Sequence, residues 1–352
     1  MDAIETTVGT ARAFATSLLA AAGMPPAPAQ RTAWALVTAD VWGLGSHGLL
    51  RLPHYLRRFA AGGTDPAAEL RVIRDTPATA TYDGANGLGH WQVWHAAEVA
   101  TAKATTVGIA AVAVGNSGHC GSLGLYVLPM VAAGQIGLVC SNGPAVMPPW
   151  NGRRPVLSTS PLAAGIPLPP PRRAAVVDLA TTAIARGTIA QHQAAGKPLQ
   201  PGWAFDSEGR PTVDAAAALA GMLAPMGGAK GYALAFLVEA LTGGVIGPHL
   251  ATAVADPLSP AASGDAQRIA HLVVALDPAL LDVDGSARSR LSDLASQIEQ
   301  AGGRLPGALR RFDDELAPAH PVTVAASTVD SLARAAAPLG ITVPDHWLEG
   351  RR

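Results

Sequence analysis

The sequence predicts an α+β protein, with a helical unit at the N-terminus and a body in which strands and helices alternate. Three observations lead there. Residues 4–23 and 28–43 carry apolar residues at helical spacing on either side of Pro25-Pro26-Ala27-Pro28, with Ile4, Val8, Ala11, Phe14 and Leu18 along one face of the first. Short apolar runs from Ile109 to Val114 and from Ile136 to Cys140 read as buried strands. The fingerprint Gly-x-Gly-x-x-Gly after a first strand, which marks the standard dinucleotide-binding sheet, is absent, as is a Walker A loop.

In chain order, a third helix runs to about Ala61 and Gly62-Gly63 ends it. Ala78-Thr79-Ala80-Thr81-Tyr82 alternates as a strand should, and Asp83-Gly84 turns it. A helix is expected from about His90 to Thr106. The strand from Ile109 then runs into the glycine-rich stretch 115–124, with a further helix after it. The strand ending at Cys140 leads into a Pro-rich stretch to Pro155 without a clear element. Ala175 to Leu179 reads as a strand and Ala183 to Ala195 as a helix. Gly227-Gly228-Ala229-Lys230-Gly231-Tyr232 opens a strongly apolar helix to about Thr242. His271 to Leu276 is a strand, residues 286–301 an amphipathic helix, Arg304-Leu305-Pro306-Gly307 a loop, and Val329 to Leu339 a closing helix. The Pro- and Ala-rich patches at 197–224 and 248–265 are expected as surface loops.

Composition narrows the function classes. The chain has 352 residues, enough for a real core. Only 14% of them are charged, against about 25% in typical soluble domains, which points to surface buried in an oligomer. The formal net charge of −1 gives no electrostatic case for nucleic acid or an anionic membrane. Cys120 and Cys140 have neither zinc spacing nor a disulfide framework, so no metal is expected and a reducing cytoplasm fits. The stretch Arg12 to Gly23 mimics a signal peptide, but Asp2 and Glu5 are a poor start for one. No run of about 18 apolar residues suggests a membrane span.

One stretch concentrates chemistry: Gly43-Leu44-Gly45-Ser46-His47-Gly48-Leu49-Leu50-Arg51-Leu52-Pro53-His54-Tyr55. Ser46 is a favoured N-cap residue before an apolar run. Pro53 is tolerated in a first turn and disruptive deeper in. Two readings stay open. Either the regular helix begins near Leu52 and leaves Ser46 to Arg51 as an irregular shelf, or it begins at Ser46 and sets His47, Arg51 and Tyr55 on one face. A capping serine, a surface histidine and a snorkelling arginine are the bland alternative.

The spelling Ser46-His47-Gly48 followed by Arg51-Leu52-Pro53-x-Tyr55 resembles the signature of the malate/L-lactate dehydrogenase family of the sulfolactate and ureidoglycolate dehydrogenase type, which also contains cyclic imino acid reductases. Further matches run in order from about residue 40 to 311. Asn116-Ser117-Gly118-His119-Cys120-Gly121 resembles Asn-Ser-x-His-Phe-Gly. Pro155-Val156-Leu157 with Thr159 and Pro161, Asp178-Leu179-Ala180-Thr181-Thr182, and Ala185-Arg186-Gly187 follow. Lys230-Gly231-Tyr232 with Leu234, and Arg304-Leu305-Pro306-Gly307, complete the set. Departures are Gly45 for an Asp, Cys120 for an aromatic, Ser160 for an Asn, Ala229 for a His and Ala308 for a Glu.

The resemblance implies an α+β enzyme with a mixed sheet of unusual, non-Rossmann topology and a helical domain, residues 1–72 plus about 318–352 against a cofactor-binding 73–317. It implies NAD(P)H as cofactor, a small carboxylate-bearing substrate, and a homodimer. The reaction implied is reduction of a 2-oxo acid or the reverse oxidation; the alternatives are reduction of a cyclic 2-imino acid and a catalytically silent relative. His47 becomes the proton donor, Ser46 part of its relay, Asp178 the carboxylate that orients and charges it, and His119 a further active-site residue. Arg51 holds the substrate carboxylate, and Tyr55 walls that pocket. The cofactor falls to His119, Cys120, Gly121, Ser122, Leu123, Gly124, Leu125, Asp178, Leu179, Ala180, Lys230, Gly231, Arg304, Pro306, Gly307 and Arg310.

Overall fold

The computed structural model describes residues 3–256, 259–312 and 316–349. The chain opens with a strand, β1 (Ala3–Thr7), and only then enters α1 (Val8–Ala21). The expected helix from residue 4 is thus shortened. Ile4 pairs with Val324 in a two-stranded antiparallel ladder, and Thr7 caps the helix by accepting from Thr10 N at 3.2 Å. After α2 (Pro26–Val41), two 3₁₀ turns, Gly45–His47 and Leu49–Arg51, precede α3 (Leu52–Ala60). This decides between the two readings of the motif: Pro53 sits in the first turn of α3, where its missing N–H costs nothing, and Ser46 caps no helix.

The central sheet follows: β2 (Arg71–Asp75), β3 (Thr79–Asp83), α4 (Gly89–Val107), β4 (Ile109–Ser117), α5 (Leu128–Ala132), β5 (Ile136–Ser141), β6 (Leu162–Pro167) and β7 (Ala174–Leu179). Next come α6 (Arg186–Ala194), β8 (Ala204–Phe205), β9 (Pro211–Thr212), α7 (Ala215–Ala220), β10 (Met222–Leu223) and α8 (Ala229–Glu239), which runs on as a π turn over Ala240–Gly244. The chain closes with β11 (Ile269–Leu276), α9 (Ala287–Gln300), β12 (Pro321–Ala325), α10 (Ala326–Ala336) and α11 (His346–Glu349). Seven strands form one mixed sheet in the order β2-β3-β4-β11-β5-β6-β7. Only β3 and β4 are parallel; every other pairing is antiparallel. The late strand β11 is therefore inserted between β4 and β5.

Two cores result. Val93, Trp94, Ala97 and Ala100 of α4 pack on Val112 and Val114 of β4, with Val139 and Val273 of the neighbouring strands. The second core joins Phe14, Leu18, Leu36 and Leu52 of the first three helices to Val322, Val324, Val329, Leu332 and Trp347 from the far end of the chain. Among the described residues, no helix is long and apolar enough to cross a membrane.

Several expectations are corrected. β6 escapes the sequence because Leu-Ala-Ala-Gly-Ile-Pro has little β-branched character; a Cβ at Gly165 would lie 2.6 Å from Val131 of α5, so the helix packs directly on the strand. The edge strand β2 also went unread. The patch 197–224 is not mere loop: the strands β8, β9 and β10 and the helix α7 enclose a small core with Ile184, Ile189, Leu199 and Leu223. Their elements are too short to show periodicity. The patch 248–265 is tied down at its far end, where buried Arg58 donates to Ala262 O at 2.9 Å and to Asp265 O. Pro257 and Leu258 of that patch lie outside the described residues. The helix expected from Ala183 starts at Arg186.

Candidate active site

The two 3₁₀ turns carry the densest chemistry. The hydroxyl of Ser46 lies 2.9 Å from Nδ1 of His47. Arg51, one turn on, donates through Nε to Ser46 O at 2.5 Å, which leaves its two terminal nitrogens for a ligand. Among the described residues nothing takes up Nε2 of His47. Burial first, and the charge of Arg51 second, lower the pKa of His47 from its ordinary value, while Asp178 opposes them.

The β4 strand ends in the glycine-rich loop and delivers His119 opposite. The two imidazoles are nearly parallel, with centroids 6.4 Å apart. His119 has a defined tautomer. Its Nδ1 accepts from the Gly121 N–H at 3.4 Å and lies 2.7 Å from the Tyr55 hydroxyl. An N–H can only donate, so Nδ1 is an acceptor and the ring proton sits on Nε2. Burial, reinforced by the neighbouring imidazoles and Arg51, holds His119 neutral far below the ordinary histidine range. His119 is thereby a fixed neutral donor. Tyr55, 2% exposed, does not wall an open pocket as expected; it is buried and steers His119 from behind.

Asp178 lies at the end of β7, half-buried. Ser122 donates to its Oδ2 at 2.5 Å and Arg310 approaches the same oxygen at 3.5 Å. The expected orienting bond from Asp178 to His47 is not made, because Ser46 already occupies Nδ1; Asp178 reaches His47 only through its field. Gly124 makes the cluster compact, since a Cβ there would lie 2.4 Å from Arg310 Nη1 and 2.8 Å from Asp178 Oδ2. Among the described residues that Nη1 is buried without a hydrogen-bond partner, while the guanidinium stacks 4.8 Å from the Trp42 ring.

The proposed cofactor residues divide. In the loop, Cys120, Leu123 and Leu125 belong to the hydrophobic core, so they can meet a ligand only through their backbone, whereas Ser122 and Gly124 face Asp178. No long helix follows that loop; a 3₁₀ turn at Leu123–Leu125 and the five-residue α5 take its place. Pro306 lies along β7, its carbonyl accepting from Val176 N at 2.9 Å, and Arg310 N closes onto Gly307 O at 2.8 Å. Arg304 is exposed on the same loop. Leu179 and Ala180 lead to Thr181, whose carbonyl accepts from Met226 N at 2.9 Å, and Gly231 packs against Met226. Lys230 is exposed in the first turn of α8; no hydrogen bond, ion pair or ring contact among the described residues joins it to His47, His119 or Asp178.

Three site residues were missed in the sequence. His90, at the start of α4, is 1% exposed, with neither ring nitrogen hydrogen-bonded among the described residues, and edge-on to Tyr55 at 5.1 Å. Burial and the charges of His47 and His271 push it down to about 3. His271 of β11 sits between Gly118 O at 3.1 Å and the Cys120 thiol at 3.8 Å, its pKa lowered to about 4 by burial. Gln267 accepts from His119 N at 3.2 Å. A histidine within the apolar run of β11 was the available signal. Of the departures, Ser160 keeps a positive φ of 40°, the conformation that asparagine tolerates best.

The malate/L-lactate dehydrogenase family model matches residues 7–333. The chain is 38% identical over 303 residues, 85% of it and 89% of the relative, to (2R)-3-sulfolactate dehydrogenase (NADP(+)) of Chromohalobacter salexigens. It is 35% identical to Delta(1)-pyrroline-2-carboxylate reductase of Ancylobacter novellus, covering 83% of this chain and 86% of that one. The structure of sulfolactate dehydrogenase from Methanocaldococcus jannaschii superposes with a TM-score of 0.87 at 27% identity, over 98% of this chain and 99% of that one.

Proposed function

The chain belongs to the malate/L-lactate dehydrogenase family, and on that footing we propose that His47 is the proton donor in its reduction of a small 2-oxo acid to a 2-hydroxy acid. It is an oxidoreductase that uses NAD(P)H. The observation that carries the reading is the Ser46–His47 contact at Nδ1, which leaves Nε2 without a partner among the described residues, beside the nearly parallel ring of His119, an Nε2–H donor, with centroids 6.4 Å apart. Carbonyl reduction needs a proton at the developing alkoxide. His47 supplies it and Ser46 sets its ring; His119 donates a hydrogen bond without titrating. Arg51 presents its terminal nitrogens to the substrate carboxylate, whose two oxygens match that fork.

The orphaned Nη1 of Arg310 beside Gly124 fits an anionic cofactor. Ser122, Gly124, Asp178 and Arg310, with the 304–310 loop, would hold NAD(P)H, which when bound would supply the hydride for the reduction. The pyrophosphate would then lie along 116–125 and 304–310 rather than on a first-strand turn of a doubly wound sheet, the non-Rossmann arrangement.

A second reading has specific support in the relative named a pyrroline-2-carboxylate reductase. In reduction of a cyclic 2-imino acid the same His47 would protonate nitrogen instead of oxygen. We also infer a homodimer, because Leu234, Phe236 and Leu237 of α8, Leu241 of its π turn and Val245 just after it expose an apolar row. A cytoplasmic location fits the two free thiols. The two cores support a helical domain of 1–72 with 318–352 beside a cofactor-binding 73–317.

A panel of 2-oxo acids and cyclic 2-imino acids, each with NADH and NADPH, decides between the substrates. NAD(P)H binding with no turnover of either class would mark a catalytically silent relative. With the substrate so found, His47→Ala should lower kcat by about 10²-fold or more and leave cofactor affinity nearly unchanged. Activity within a few-fold of the parent would remove His47 from the mechanism.

A further inference from the structure

Beneath the motif lies a carboxyl that belongs to none of the groups described so far. Asp40 is the penultimate residue of α2, at the end where the helix dipole disfavours an anion. Burial pushes its carboxyl up to about 7, against the opposing bond from Leu49. A carboxyl kept in such a place calls for a reason.

Its contacts supply one. Oδ2 accepts the Leu49 N–H at 2.8 Å. A Cβ at Gly48 would lie 2.0 Å from Oδ1, 2.3 Å from Cγ and 2.5 Å from Oδ2, so the carboxyl fills the space a side chain would need. The glycine after His47 is thus explained by a residue eight positions earlier. At Gly48 the backbone takes φ −90° and ψ −148° and separates the two 3₁₀ turns. His47 ends the first turn, with its N–H on Leu44 O at 2.7 Å, and Arg51 closes the second onto Gly48 O at 2.9 Å. The peptide joining the two turns is the one Asp40 grips.

We propose that Asp40 is a positioning residue, whose carboxyl clamps the Gly48–Leu49 backbone and so sets the His47 imidazole at the reacting centre. The proposal rests on His47 as proton donor. Ser46 fixes the rotation of the ring; Asp40 fixes the main chain from which the ring projects.

The test is a double-mutant cycle on the full-length enzyme, using the best substrate of the panel. Asp40→Ala should lower kcat by about tenfold or more, as expected for a displaced catalytic group, with the NAD(P)H dissociation constant, read by fluorescence titration, within about twofold of the parent. Asp40→Asn keeps an acceptor for Leu49 N–H and should bring kcat back to within about fivefold of the parent. In the His47→Ala background, Asp40→Ala should change the residual rate by less than about twofold, because a residue acting through His47 has nothing left to position. A merely structural Asp40 would cost the same in both backgrounds; equal losses, or an Asn variant no better than Ala, would overturn the proposal. Full activity in His47→Ala alone would instead overturn the proton-donor reading, and the proposal with it. Should Asp40→Ala not fold, Asp40→Ser runs the same cycle, since it fills part of the space without reaching Leu49.

Discussion

Gly48→Ala puts the packing of the two turns around Gly48 under direct strain. The new methyl would start 2.0 Å from Asp40 Oδ1, against an ordinary contact of roughly 3.3 Å, so the carboxyl and the turn must part by about 1.3 Å. Asp40 is held by α2, and the turn is held by the His47 and Arg51 backbone bonds; the strain is shared between them. Overpacking of this kind costs about 1–3 kcal/mol, a fall in Tm of roughly 1–4 °C for a chain of this size. A shift near 1 Å at a reacting group costs about 10²-fold in rate, so kcat should drop by about that factor while the cofactor still binds. Differential scanning fluorimetry and steady-state kinetics at saturating NAD(P)H read the two effects. Adding Asp40→Ala should return Tm toward the parent by removing the clash, yet leave kcat low because the Leu49 bond is gone. A Gly48→Ala enzyme with kcat within threefold of the parent, or a double variant that recovers no stability, would refute the reasoning.

Asp178→Asn removes the one negative charge that raises the pKa of His47. With His47 as the proposed proton donor, reduction needs the imidazolium, so its alkaline limb in a kcat pH profile should move to lower pH and the rise of the reverse oxidation should move with it; an unmoved limb would detach Asp178 from His47. Arg51→Lys keeps the charge and loses the fork, so kcat/KM should fall by about tenfold or more, on the order of 1.5–3 kcal/mol for a charged hydrogen bond; the bond from Nε to Ser46 O is lost as well, so a drop in stability with unchanged kinetics would make Arg51 structural only. Asp40→Asn should stabilise the protein in alkaline solution. The folded pKa is raised from 3.8 to about 7, so the native state holds the proton longer than the unfolded chain and loses stability as pH rises between those values. Above pH 7 the penalty reaches at most about 4 kcal/mol, and Asn abolishes it. Chemical denaturation at pH 5 and pH 8 should show the larger gain at pH 8; equal gains would contradict the sign.

What could be read in the sequence shares one property: the interacting groups lie close along the chain. Ser46, His47 and Arg51 fall within six residues, and Pro53 offered the shelf-like start of α3 as one of two readings, between which the structure decided. The long helices α2, α4 and α9 announced themselves through period and composition. Family spelling carried the reading further, to His119, Asp178 and the 304–310 loop, but the one contact it implied, Asp178 on His47, is not made.

Tertiary structure decided the rest. Asp178 was expected on His47, but β7 sets it against Ser122 and Arg310, and Ser46 takes the ring nitrogen first. Tyr55 was expected to face substrate and instead holds His119. Cys120, Leu123 and Leu125 turned inward because the loop after β4 folds down into the core. Ile4 went to a strand since its partner, Val324, lies at the other end of the chain. His271 reaches Gly118 and Cys120 only because β11 is inserted between β4 and β5. Local spacing determines which side chains share a turn. Strand order determines which turns meet, and that order depends on burying two hydrophobic cores at once, a property no window of the sequence contains.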